Sequence, residues 1–160
     1  MAILYLILVF ALITGSVHLI LAKRPYPPGR VWEVYLLSFF FWIGIDCLVS
    51  AFGHIYPPQA AYLAEQIGFA PSFFQYEVGI ANLAVGVLCL MALGIRDHFW
   101  LATVVALSIW YLGDGVGHII QLTAFDNHAP GNAGAPLVLD FLLPAITLLL
   151  YLLVKTRRVE

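Results

Sequence analysis

The chain has 160 residues, of which 62% are apolar and only 10% charged, with a mean hydropathy of +0.96 and a net charge of −2. A soluble domain needs roughly a quarter of its residues charged, so this composition excludes a water-soluble fold and makes lipid the expected solvent. The near-neutral charge gives no footprint for nucleic acid, and 160 residues leave room for a single transmembrane domain.

A helix needs about 20 apolar residues to cross a bilayer, and five stretches satisfy that, at about 2–22, 32–55, 74–95, 98–121 and 136–154. In hydrocarbon each must be helical, because every backbone N–H and C=O needs an internal partner. The expected fold is therefore an all-α polytopic bundle of about five spans. In chain order, the first span has no charge before it and Lys23-Arg24 after it, the reverse of a cleaved signal peptide, so it reads as retained. Pro25, Pro27, Pro28 and Gly29 break the link to span two. After span two, Pro57-Pro58 and Gly68 bracket a short segment, 60–67, that reads as an interfacial helix. Ser72 and Gln75 form a capping box for span three, and Asp97 is placed to cap span four. The loop from Asp126 to Pro136 is rich in Gly, Asn and Pro and reads as irregular. Trp32, Tyr35, Tyr56, Tyr62, Tyr76 and Trp100 fall at expected interfaces.

All seven Lys and Arg residues (Lys23, Arg24, Arg30, Arg96, Lys155, Arg157, Arg158) lie at one end of these spans. The positive-inside rule makes that end cytoplasmic, with the N-terminus outside and the C-terminus inside.

Ionisable residues within spans need a partner or a purpose. Here they are Asp46, His54, Glu77, Asp114, His118 and Asp140, with Asn82 and Gln121 as neutral companions. His54, Gln75, Glu77, His118 and Gln121 lie within about two turns of the outer helix ends, Asp114 and Asp140 about 8–10 Å in, and Asp46 about 12 Å in. The polarity is thus concentrated toward one leaflet. On span four, Asp114, His118 and Gln121 share one face, and on span three Gln75, Gly79, Asn82, Gly86 and Cys89 make a small-and-polar stripe suited to close helix packing. Glu77 points away from that stripe, toward the surface helix or water. Pro144 removes the helical partner of the Asp140 carbonyl, which leaves either a plain kink or a spare ligand. Cys47 and Cys89 lack metal-finger spacing and read as small buried residues. His18 reads as a locally bonded histidine, and Asn127 with His128 as either a lid or an exposed loop.

Asp114-x-x-x-His118 has the spacing of a helical metal chelate, and His54 and Asp140 would complete a set for a divalent metal such as zinc. The same spacing also makes a plain hydrogen bond. His54 and His118, each after a glycine, have the pattern of axial haem ligands, although acidic neighbours suit a porphyrin edge poorly. No Walker loop, GxGxxG, GxSxG or HExxH occurs. Three readings stay open. One is a membrane-embedded enzyme on a lipid or isoprenoid-like substrate, with His118 as base or ligand, Asp114 orienting it and Asp140 as acid or second ligand. The second is a transporter of a small solute, metal ion or proton, with a homo-oligomer among its open assemblies. The third is a non-catalytic subunit.

The motifs Phe52-Gly53-His54-Ile55-Tyr56-Pro57, Phe74-Gln75-Tyr76-Glu77-Val78-Gly79 with Asn82, Gly113-Asp114 with Gly117-His118, and Pro130-Gly131-Asn132 before Asp140 together resemble a family of small bacterial and archaeal multi-span membrane proteins of unknown function. The resemblance covers most of the chain from span two onward. It implies a compact prokaryotic membrane protein and carries over no activity.

Overall fold

The computed structural model of the chain describes residues 5–22 and 26–157. Those residues form the helices α1 (Leu6–Ile20), α2 (Pro28–Ile55), α3 (Pro57–Ile67), α4 (Phe74–Met91), α5 (His98–Ala124), α6 (Pro130–Ala133) and α7 (Ala135–Arg157). Four of them, α2, α4, α5 and α7, are long and apolar enough to cross a membrane. Residues 2–4 of the first expected span lie outside the described residues, and the remainder holds an apolar helix of 15 residues. Large apolar side chains cover the outside of the bundle (Leu12, Val49, Ile109 and Leu149 are each more than half exposed), a surface that only lipid solvates. The chain is a multi-pass helical membrane protein.

Proline chemistry sets the boundaries around α2. The helix starts four residues before the expected position 32, because Pro28 opens it as an N1 residue instead of breaking the link. It stops at Ile55 because Tyr56, which precedes Pro57, is pushed into an extended conformation (φ −76°, ψ 113°). Pro57 and Pro58 then begin α3, three residues ahead of the expected start at Ala60. Gly68 ends α3 at φ 86°, with its own N–H bonded to Glu65 O (3.0 Å) and the Phe69 N–H to Ala64 O (2.8 Å), a Schellman turn.

Two expected caps do not form. Neither Ser72 nor Asp97 makes a side-chain capping bond; α4 starts after Phe73, and the Gln75 side chain turns into the bundle. The helix α4 also ends at Met91 instead of 95. A wound turn follows it, and the Trp100 indole N–H donates to the Ala92 carbonyl (2.7 Å) that this ending frees. Trp100 is therefore buried, and Tyr35 is drawn against α1, so neither is a plain interface anchor; Tyr56, Tyr62 and Tyr76 do stay exposed. Within the loop expected to be irregular, Pro130–Ala133 winds into one helical turn.

The expected stripe on α4 (Gln75, Gly79, Asn82, Gly86, Cys89) is buried, and it seats against α2. A Cβ on Gly86 would lie 3.1 Å from Gly44 O, and one on Gly79 would lie 3.1 Å from Ala51 O. These glycines let the two backbones approach more closely than any larger residue permits. Helix α1 is fastened to α2 by polar groups, with Thr14 bonded to Ser38, Ser38 Oγ–H donating to Ala11 O (2.8 Å) and Ser16 3.0 Å from the Tyr35 hydroxyl.

One end of the bundle, the basic end, carries Arg30, Arg96 and Lys155; Lys23, Arg24 and Arg158 lie outside the described residues. The opposite, capped end is covered by α3 and α6. The buried apolar side chains Leu36, Phe39, Phe40, Ile43, Trp100, Val104, Leu107 and Leu150 fill the basic half, whereas Gln75, Asn82, Asn132 and Asp140 are buried in the capped half. Gly86→Val should push α2 and α4 apart and cost about 1–3 kcal/mol, read as a lowered midpoint in thermal unfolding of the detergent-solubilised protein.

Candidate functional site

The site begins on α5, where one face presents Asp114 and, one turn on, His118. Helix α7 approaches that face closely because residue 115 is glycine. A Cβ there would meet Phe141 Cε2 at 2.8 Å and Asp140 Cβ at 3.1 Å. This brings Asp140 Oδ2 to 3.5 Å from His118 Nε2. Asp140 is buried, and its Oδ2 has no hydrogen-bond partner among the described residues.

The other side of the imidazole is held by Asn132, which is wholly buried in α6. The Asn132 Nδ2 group donates to Asn127 O (2.8 Å) and to His118 O (3.3 Å). Both acceptors are carbonyls, so the amide can face only one way. Its Oδ1 therefore meets His118 Nδ1 at 2.8 Å, and Nδ1–H must be the donor. A neutral His118 with its hydrogen on Nδ1 turns a bare lone pair at Nε2 toward Asp140.

The capped end is locked by the same loop. Asn127 Nδ2 donates to Ile67 O (2.9 Å), and its Oδ1 accepts from Ala129 N–H (3.1 Å). Gly68 has room for Asn127 only because it lacks a Cβ, which would lie 2.5 Å from Asn127 Oδ1. The segment 127–132 thus lies over the site and is tied to α3. Asn127 fits the lid reading, whereas His128 is exposed and pairs with Asp126 (2.9 Å).

Other sequence-derived residues are distributed differently. His54 pairs with Gln75, Nδ1 to Oε1 at 2.6 Å, between α2 and α4. Asn82 donates to Val78 O of its own helix (3.1 Å), a packing role. Glu77 is exposed, as its phase suggested, and Gln121 is half-buried near the end of α5. Asp46 is half-buried on α2 beside Cys47, whose sulfur lies 3.4 Å from the Tyr111 hydroxyl. Pro144 sits inside α7 without ending it, and Thr147 Oγ1–H donates to Leu143 O (2.9 Å).

The expected metal set of His54, Asp114, His118 and Asp140 does not gather. Among the described residues, no three His, Cys, Asp or Glu side chains stand close enough to hold a metal ion. His54 is committed to Gln75, and the His118 nitrogen that a metal or haem iron would use faces Asp140.

Sequence reading also missed two residues. Asn132 holds the site together, yet its one signal was a position in a Pro-Gly-Asn turn of a loop. Glu33, buried at the basic end, receives bonds from both Arg30 and Arg96. The signal there was the i,i+3 spacing of Arg30 and Glu33.

Asn132→Ala should cost about 1–3 kcal/mol through lost buried hydrogen bonds, seen as a lower unfolding midpoint. It should also free the His118 tautomer, so that ¹⁵N spectra of labelled histidine lose the Nδ1–H signature of the wild type.

Comparison with curated proteins and with solved structures finds no match for this chain. The motifs gathered at the capped end (Gly53-His54, Gln75, Asp114 with His118, Asn132 and Asp140) lie within a single match that runs from the first residue to the last, and by it the chain belongs to the DUF6790 family, a family of unknown function whose model covers residues 1–160.

Proposed function

We propose that this chain is a membrane-embedded enzyme that uses the His118–Asp140 pair for general acid–base chemistry on a lipid- or isoprenoid-like substrate. The observation that carries this reading is the buried Asp140 Oδ2, without a hydrogen-bond partner among the described residues and aimed at a histidine whose tautomer Asn132 fixes. In this reading His118 Nε2 takes a proton from the substrate, Asp140 stabilises the imidazolium, and the proton returns to the leaving group. Asp114, one turn away on the same face of α5, orients the ring.

Two further observations support access from the bilayer. The His118 side chain keeps 16% of its surface accessible. Gly113 and Gly117 flank the Asp114–His118 face, and a Cβ on either would meet nothing within 4 Å. By the positive-inside rule the capped end faces outward, which places the chemistry in the outer leaflet of a prokaryotic cytoplasmic membrane.

Transport fits less well, because buried apolar side chains, among them Phe39, Phe40, Ile43 and Leu107, dominate the interior of the basic half. A purely structural network fits less well too, since such a network would satisfy Asp140 Oδ2.

The test is reconstitution of purified protein in liposomes of a total bacterial polar lipid extract, followed by mass spectrometry of the lipids. Wild type should convert one lipid species, and His118→Gln and Asp140→Asn should each slow that conversion by about 100-fold or more. An unchanged lipid profile with the wild type, or equal conversion by the variants, would overturn the reading.

A further inference from the structure

At the basic end, far along the helices from the His118–Asp140 pair and sharing no residue with it, a cavity of about 500 Å³ opens between α1, α2 and the end of α4. Its lining includes Arg30 and Arg96 together with the apolar side chains of Leu37, Phe41 and Leu93. Glu33, whose side chain is only 6% exposed, lies beneath the two arginines. Both Nη1 groups donate to its Oε1, which fixes the two guanidinium heads on the cavity wall while they stay 43% and 37% exposed. Arg96 is further steadied by the Trp100 ring, 5.4 Å away.

One carboxylate balances only one of the two cations. Each guanidinium also carries further N–H donors beyond the bond to Glu33, in the fork geometry that matches phosphate oxygens. The hydroxyls of Thr14 and Ser38 in the same cavity are engaged with each other and with the α1 carbonyls of Phe10 and Ala11, so the two arginines supply the recognition of charge. The surroundings reinforce it. All seven Lys and Arg residues belong to this end by sequence, against three acidic groups, Glu33, Asp97 and Glu160.

We propose that this cavity binds an anionic diacyl phospholipid, with Arg30 and Arg96 holding the headgroup phosphate and an acyl chain lying against Leu37, Phe41 and Leu93. The apolar wall beside the arginines, with Phe41 exposed to the bilayer, favours a lipid phosphate over a free one. Excess positive charge at one end of a membrane protein attracts anionic lipid for the same reason.

The test uses the full chain in phosphatidylcholine nanodiscs doped with acyl-brominated phosphatidylglycerol or, separately, acyl-brominated phosphatidylcholine. Bromine quenches nearby tryptophan, and Trp42, bonded to Thr14 (3.2 Å), lies beside the cavity. Phosphatidylglycerol should occupy the site about fivefold or more in preference to phosphatidylcholine. In an R30Q/E33Q/R96Q variant, which removes the charged trio together and so strands no buried carboxylate, the preference should vanish. Millimolar inorganic phosphate should leave the wild-type preference intact. Equal quenching by the two lipids in wild type overturns the proposal without recourse to any variant. So does a preference that survives in the triple variant, or one that inorganic phosphate abolishes, which would assign the site to free phosphate.

Discussion

In hydrocarbon a polar atom cannot turn to water, so each one in this bundle must be satisfied by another part of the protein. The consequences are visible at both ends. At the basic end Glu33 is buried, and two arginines from different parts of the chain converge on it. At the capped end Asn132 is buried, and its amide joins α5, α6 and the loop before it. Gln75 shows the same constraint. It gives up a role in capping its own helix and bonds His54 of α2 instead. Against this accounting the unpartnered Oδ2 of Asp140 stands out, because lipid makes such an atom costly to keep.

The packing that permits these bonds is built from small residues. Gly44 and Gly86 let α2 and α4 touch backbone to side chain, and Gly115 lets Asp140 reach the histidine on α5. Without a hydrophobic drive between helices in lipid, close contact and hydrogen bonding are what hold spans together. The glycines therefore set the distances over which the polar groups work. Phe39, Phe40 and Leu107 fill the basic half around the buried Glu33, Thr103 and Thr147, and the capped half buries Gln75, Asn82, Asn132 and Asp140.

The lid over the His118 site is tied down at several points. Asn127 bonds both the C-terminus of α3 and the start of α6, and Gly68 makes room for it. Asn132, held by the carbonyl of Asn127, thus dictates which ring nitrogen carries hydrogen in a histidine on a spanning helix. Two cavities flank α1 at the other end; one is mostly apolar, between α1, α2 and α7, and the other carries the arginines.

Composition and periodicity by themselves determined the solvent, the helical class, the approximate spans and the one-ended distribution of Lys and Arg. These follow from local chemistry, because hydrophobic length, proline geometry and charge act within a few residues. The face of α4 that packs was legible for the same reason, from its stripe of small residues. Helical spacing, however, cannot say which neighbouring helix a polar face meets. His54, Asp114, His118 and Asp140 read as one metal set from their similar depth, yet the fold gives His54 to Gln75 and His118 to Asp140 and Asn132. The signals for Asn132 and Glu33 were similarly faint, because their partners lie on other elements: the imidazole ring of α5 for one, the guanidinium of the α4–α5 turn for the other. The concentration of polarity toward one end was written in the sequence; the pairing within it was decided by the close approaches that Gly79 allows between α4 and α2 and Gly115 between α5 and α7.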